Sequence, residues 1–247
     1  MKKLILASTA VLALTVAHGQ TNVYHPFPDS GFWRVDEYYN DPWQYPCFAK
    51  YYFHYYADGD TVINTVSYKK IYRSYVLFQP LSCTPPMTPP TPPTSGYVGA
   101  LKDDSIANKT FFIFPNKNTD SLLYDYNLSV GDTMRGHISE SVYGNSQMVV
   151  LSIDSVLING QYRKKWNFAN DYNNDSTYFI AGIGSSGGLI EPLNTYPVDF
   201  TYRHLVCVKD SSTALYISSY TSPIGCNSIM SGTTEIKSIN TFRSLKI

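Results

Sequence analysis

Between residues 124 and 130 the chain alternates strictly. Tyr124, Tyr126, Leu128 and Val130 are separated by Asp125, Asn127 and Ser129. A two-residue period is that of a strand with one buried face. Leu151 and Ile153 against Ser152 and Asp154 repeat it. The pattern predicts strands near 49–56, 60–64, 67–73, 97–101, 110–114, 121–128, 133–138, 147–158, 161–168, 177–182, 204–209 and 213–218. Beyond residue 19 no long apolar stripe recurs at helical spacing. Many short strands broken by turns predict an all-β fold, an antiparallel, partly closed barrel or sandwich built from hairpins.

Two stretches read alike, DTVINTVSYKKIY at 60–72 and DSVLINGQYRKKW at 154–166. In the second, Asn159-Gly160 sits between two β-prone runs. That is the strongest short hairpin signal, because a type I′ turn needs positive φ at both central residues. The first has Asn64-Thr65 and no glycine, so its turn is expected to be longer or bulged. The basic residues after each Tyr mark the solvent side of the return strand. Residues 80–96 hold seven prolines. Each removes a donor and fixes φ, which predicts a stiff, polyproline-like surface loop rather than a strand.

Residues 1–19 carry Lys2 and Lys3, an apolar run from Leu4 to Val16, and Ala17-His18-Gly19. This is the form of a secretory signal peptide cleaved after Gly19, leaving Gln20 as the new N-terminus. The run is too short to span as a membrane helix, and no Cys follows it to take a lipid anchor. No later apolar run reaches spanning length, so no integral membrane segment is expected after cleavage. Removing 19 of 247 residues leaves 228. Residues 20–228 fit a single β-rich domain, with 229–247 as a C-terminal tail. Basic and acidic residues balance at 19 each, and loss of Lys2 and Lys3 leaves a slight acidic excess. That balance gives no electrostatic footprint for nucleic acid.

Export permits disulfides. Four cysteines allow three pairings. Sequence-local pairing is the simplest, Cys47–Cys83 and Cys207–Cys226. Free buried thiols are the other reading. A zinc site lacks the Cys-x-x-Cys or clustered His that it needs.

Residues 182–188, GIGSSGG, contain both G-x-G-x-x-G and G-x-S-x-G. Either would need a helix directly after it. LIEPLNTYP follows, with two prolines, so the stretch reads as a glycine-rich turn passing close to another element. Asp58-Gly59-Asp60 and the loop around Asp171 and Asp175 lack the full spacing of a calcium loop and read as solvated turns. His25, His54, His137 and His204 are too scattered to announce a triad or a metal site. No catalytic residue, metal ligand or cofactor is assigned.

Tyr is heavily used, at 22 residues, and aromatics crowd between Tyr38 and Tyr56. If 51–56 is a strand, one face is core. The other, with Tyr52, His54 and Tyr56, is the candidate ligand-binding face for a sugar ring or a protein partner. Asp followed by a hydroxyl residue and an apolar residue recurs at Thr61, Ser105, Ser121, Thr133 and Ser155. This is similar to the O-glycosylation sequon of exported Bacteroidota proteins. It also fits a turn leading into a strand, and the two readings weigh equally.

GDTVINTVSYKKIY, YVGALKDD, LLYDYNLSVGDTM, IDSVLINGQYRKKW, IAGIGSSGGLIEP and LVCVKD occur in that order between residues 59 and 210. Their order resembles secreted Bacteroidota proteins that often carry a C-terminal type IX secretion sorting domain. The resemblance covers about residues 30–228. It implies an exported β-rich domain that meets the secretion machinery, and it brings no activity. The usual acidic residue before the Gly-Ile-Gly turn is Ala181 here, and residues 229–247 read as a remnant of a sorting domain. The expected function is therefore an exported, non-enzymatic binding or structural module, secreted or periplasmic. The alternative is a secreted hydrolase whose Ser, His and acid meet only in the fold.

Overall fold

The computed structural model describes residues 23–41, 47–82, 95–140, 148–169, 177–193, 202–222 and 225–226. The leader at 1–19, Cys83 with its proposed bond to Cys47, the Asp171–Asp175 loop and the tail at 229–247 lie outside the described residues.

The fold is all-β. Among the described residues the strands are β1 (Gly31–Asp41), β2 (Cys47–Ile63), β3 (Val66–Ser82), β4 (Gly96–Asp104), β5 (Lys109–Ile113), β6 (Ser121–Asp125), β7 (Val150–Ile158), β8 (Gln161–Phe168), β9 (Thr177–Ile180), β10 (Gly184–Ser185), β11 (Tyr202–Asp210) and β12 (Thr213–Ile217). Eight form one curled antiparallel half-barrel sheet, in the order β12-β11-β1-β2-β3-β4-β5-β6. The other four form a second sheet, β10-β9-β8-β7. No helix among the described residues is long and apolar enough to cross a membrane.

Four expectations need correction. β1 was not anticipated. It carries Phe32, Arg34, Asp36 and Tyr38 on one face and Trp33, Val35 and Glu37 on the other, and the charges at Arg34 and Asp36 disguise it. Residues 133–138 are not a strand. Thr133 makes an isolated bridge to Val149, and His137–Ser139 forms a 3-10 turn. The Asn64-Thr65 turn has two residues, not more, and φ is 50° and 68°. It uses the same positive φ pair as Asn159-Gly160, at 48° and 77°. The extra residue lies upstream instead, where Asp58-Gly59 bulges β2 between Ala57 and Asp60. Finally, the start of the proline-rich segment is strand. Pro80 pairs with Ala49, and the pairing of β3 with β4 ends at Arg73, so Pro80 breaks no bond in that ladder.

The second sheet packs into the concave face of the first. Phe27, Trp33, Phe53, Tyr55, Leu101, Phe112 and Tyr124 from one side join Trp166, Phe168 and Phe179 from the other in one buried cluster. Burial of rings this large is the main driving force for joining the layers. Their polar atoms are paired across the interface. Trp33 Nε1 donates to the Ile183 carbonyl at 2.7 Å, the Tyr124 hydroxyl to the Leu189 carbonyl at 2.7 Å, and Trp166 Nε1 to the Leu128 carbonyl at 3.0 Å.

The glycine-rich turn passes close to neighbouring backbone. Gly182, Gly184 and Gly188 have φ of 66°, 119° and 145°. A Cβ on Gly182 would strike the carbonyls of His25 and Pro26, and one on Gly188 would land on the Glu191 carboxylate. The turn therefore serves close approach. Among the described residues no helix follows it to hold a phosphate or a nucleophile.

Candidate functional site

The face of the half-barrel turned away from the second sheet carries a row of side chains in exact cross-strand register. Lys209 pairs with Phe32, Phe32 with Tyr56, Tyr56 with Tyr72, and Tyr72 with Tyr97. Five adjacent strands, β11, β1, β2, β3 and β4, contribute one residue each. Neighbouring strands lie about 4.8 Å apart, so such a row brings rings into contact. Tyr56 and Tyr72 stack at 5.6 Å, and Tyr72 meets Tyr97 edge-on at 5.7 Å. His54 inserts between Phe32, at 4.6 Å, and Tyr56, at 5.7 Å. Lys209 Nζ lies 5.3 Å from the Phe32 ring centre. Tyr97, 41 % exposed, ends the row.

The three residues predicted for this face separate. Tyr56 is half-buried within the row. His54 is its buried filling. Tyr52 has no exposed surface. It lies beside Arg34, whose guanidinium sits 5.3 Å from the Tyr52 ring centre. Phe32, Tyr72 and Tyr97 were not predicted. Their signal is pairing between distant strands, which no local pattern displays.

Next to the row the same face turns polar. Arg34 and Asp36, two residues apart on β1, are almost wholly buried, with Nε 3.5 Å from Oδ1. Burial lowers the Arg34 pKa and raises that of Asp36, and each partly offsets the other. Burial also pushes His54 down to about 4, with Arg34 and Lys209 adding to the shift. At neutral pH His54 is therefore an uncharged ring.

A second polar cluster occupies the concave side. The Tyr55 hydroxyl donates to Glu191, and Arg203 Nε donates to Glu37 at 2.7 Å. The Arg73 guanidinium lies over the Tyr75 ring at 5.3 Å. Glu191 comes from the loop after the glycine-rich turn and is fully enclosed, which raises its pKa.

His137 places Nδ1 3.1 Å from Glu140 and Nε2 3.1 Å from the Ile190 carbonyl. Both nitrogens thus face oxygen acceptors, and neither faces a side-chain hydroxyl that it could activate. Among the described residues no group of three or more His, Cys, Asp or Glu is placed to hold a metal ion.

The predicted sugar-attachment positions also differ. Ser105 is exposed in the turn between β4 and β5, where Asp104 Oδ1 accepts from the Ile106 and Ala107 amides. Thr61, Ser121 and Thr133 are half-buried, and Ser155 Oγ is enclosed. The Cys207–Cys226 disulfide is present.

Comparison with protein-family models, curated proteins and solved structures returns no match.

Proposed function

We propose that the chain is an exported, non-enzymatic β-domain that binds a glycan through the aromatic row on its outer face. The carrying observation is the register of Phe32, Tyr56, Tyr72 and Tyr97 across four adjacent strands. The row joins apolar ring surface to phenol hydroxyls, a mixture suited to a ligand that is apolar on its C–H faces and polar at its rim. Burial and then the Asp58 carboxylate raise the Tyr56 pKa, and Lys70 stands two residues before Tyr72. Both supply hydrogen-bonding groups beside the rings. The leader-like residues 1–19, the resemblance to exported Bacteroidota proteins and the disulfide support export.

A glycan array followed by calorimetry tests the reading. The wild-type chain is expected to bind an oligosaccharide, and Tyr56→Ala/Tyr72→Ala/Tyr97→Ala to lose about tenfold or more in affinity. Equal binding by the folded triple variant would move the site elsewhere. Binding to a protein but to no glycan would overturn the ligand class. N-terminal sequencing of the exported chain is expected to start at Gln20.

A further inference from the structure

Beyond β12 the chain doubles back over the polar half of the outer face. Tyr220 stacks flat on His204, with ring centres 4.3 Å apart and planes 8° apart. Its hydroxyl meets that of Tyr38 at 2.5 Å. Ser222 Oγ donates to Asp36 Oδ2 at 2.7 Å. Cys226 then closes a disulfide to Cys207, the residue paired with Arg34 across the β1–β11 ladder.

Asp36, which Ser222 contacts, lies beside Arg34, and Arg34 lies over the Tyr52 ring; the three are 1 %, 3 % and 0 % exposed. Nε and Nη2 of Arg34 form one edge of the guanidinium, the fork that grips two oxygens at once. Neither atom has a hydrogen-bond partner, and Asp36 Oδ1 has none. Covering a sheet face with a charged pair whose bonds are incomplete is unfavourable, because water would complete them. Hydration of this pair therefore opposes closure. Ring stacking, two hydrogen bonds and one covalent link favour it.

We propose that residues 218–222 and Cys226 form a disulfide-latched cover, and that reducing Cys207–Cys226 uncovers Arg34, Asp36 and Tyr52 while the core stays folded. The inference is independent of the aromatic row, whose Tyr56, Tyr72 and Tyr97 are not among the residues the cover buries. Cys226 is half-buried and Cys207 is fully buried. An incoming thiolate thus reaches Cys226 and expels the Cys207 thiolate. A dithiol completes the exchange, losing two electrons and leaving two cysteine thiols.

Tyrosine nitration read by peptide mass spectrometry tests the latch. The wild-type chain is compared before and after dithiothreitol, alongside Cys207→Ala/Cys226→Ala, which leaves Cys47 and Cys83 in place. Tyr55, in the inner core at 2 % exposure, is the internal control. The expected result is nitration of Tyr52 about tenfold faster or more in both open forms, with Tyr55 unchanged. Continued protection of Tyr52 in the double variant would overturn the proposal. So would reaction of Tyr55 together with Tyr52, which would mean that the disulfide holds the whole fold.

Discussion

The Tyr55 hydroxyl donates to the Glu191 carboxylate across 2.5 Å, and this bond ties the half-barrel to the loop that follows the glycine-rich turn. Glu191 has also taken the space of a side chain at position 188. Burial raises its pKa, so the folded state holds its proton more tightly than the unfolded chain does. For such a group stability is gained as pH falls through the folded pKa and is lost as pH rises.

Glu191→Gln keeps an oxygen for Tyr55 and removes the charge. Its stability at neutral pH is expected to match or exceed that of the wild type. The wild-type gain on acidification to about pH 5 should shrink in the variant. Tyr55→Phe leaves the buried carboxylate short of a donor and should cost about 1–3 kcal/mol. Urea unfolding at several pH values checks all three. Identical pH slopes for wild type and Glu191→Gln would reject the assignment.

Thr65 occupies left-handed backbone at φ 68°, where a β-branched residue is strained. The equivalent place in the other hairpin is Gly160, at φ 77°. Strain of this kind costs roughly 1–3 kcal/mol, part of which glycine returns through its freer unfolded chain. Thr65→Gly is therefore expected to stabilise the fold by up to about 1 kcal/mol. A lower thermal midpoint would show that the bond from Thr65 Oγ1 to the Asn64 carbonyl outweighs the strain.

The ease of reading the second of these hairpins contrasts with β1. Asn159-Gly160 flanked by alternation announces its turn, because everything that shapes it lies within a few residues. The all-β class was legible for the same reason. In β1 the alternation is present, yet Arg34 and Asp36 stand where a one-sided strand shows polar residues to solvent. They are buried instead, with Asp36 accepting from Ser222, 186 positions later, and no local period reports that. The candidate site suffered likewise. Tyr56 was visible as an aromatic on a strand. Its neighbours Phe32, Tyr72 and Tyr97 are fixed by strand register, and Tyr52 was taken as exposed because the Arg34 guanidinium beside it comes from another strand.

Glycosylation of the folded chain should follow exposure of the hydroxyl. Ser105 sits in an open turn beside Ile106, which is 95 % exposed, whereas Ser155 Oγ is enclosed. Peptide mapping of exported protein is expected to find hexose-containing adducts at Ser105 before any at Ser155. Modification at Ser155 alone would mean that sugars are added before the β7–β8 hairpin packs.

His54 should set an acid limit on stability. Its folded pKa lies at about 4, below the ordinary 6.5, because burial and the nearby charges of Arg34 and Lys209 disfavour the imidazolium. The unfolded chain therefore takes up a proton first as pH falls. The stability that His54 contributes is complete above about pH 6.5 and is lost progressively between there and pH 4, by at most about 3 kcal/mol. Glu191, Asp36 and Asp103 have raised pKa values and work in the opposite direction, so the wild-type curve alone does not isolate the histidine. Comparison with His54→Gln does, since the acids are common to both chains. Between pH 7 and 4.5 the wild type is expected to lose more stability than the variant. An NMR titration of the His54 ring should show a midpoint near 4, and a midpoint near 6.5 would mean that the ring is hydrated between Phe32 and Tyr56.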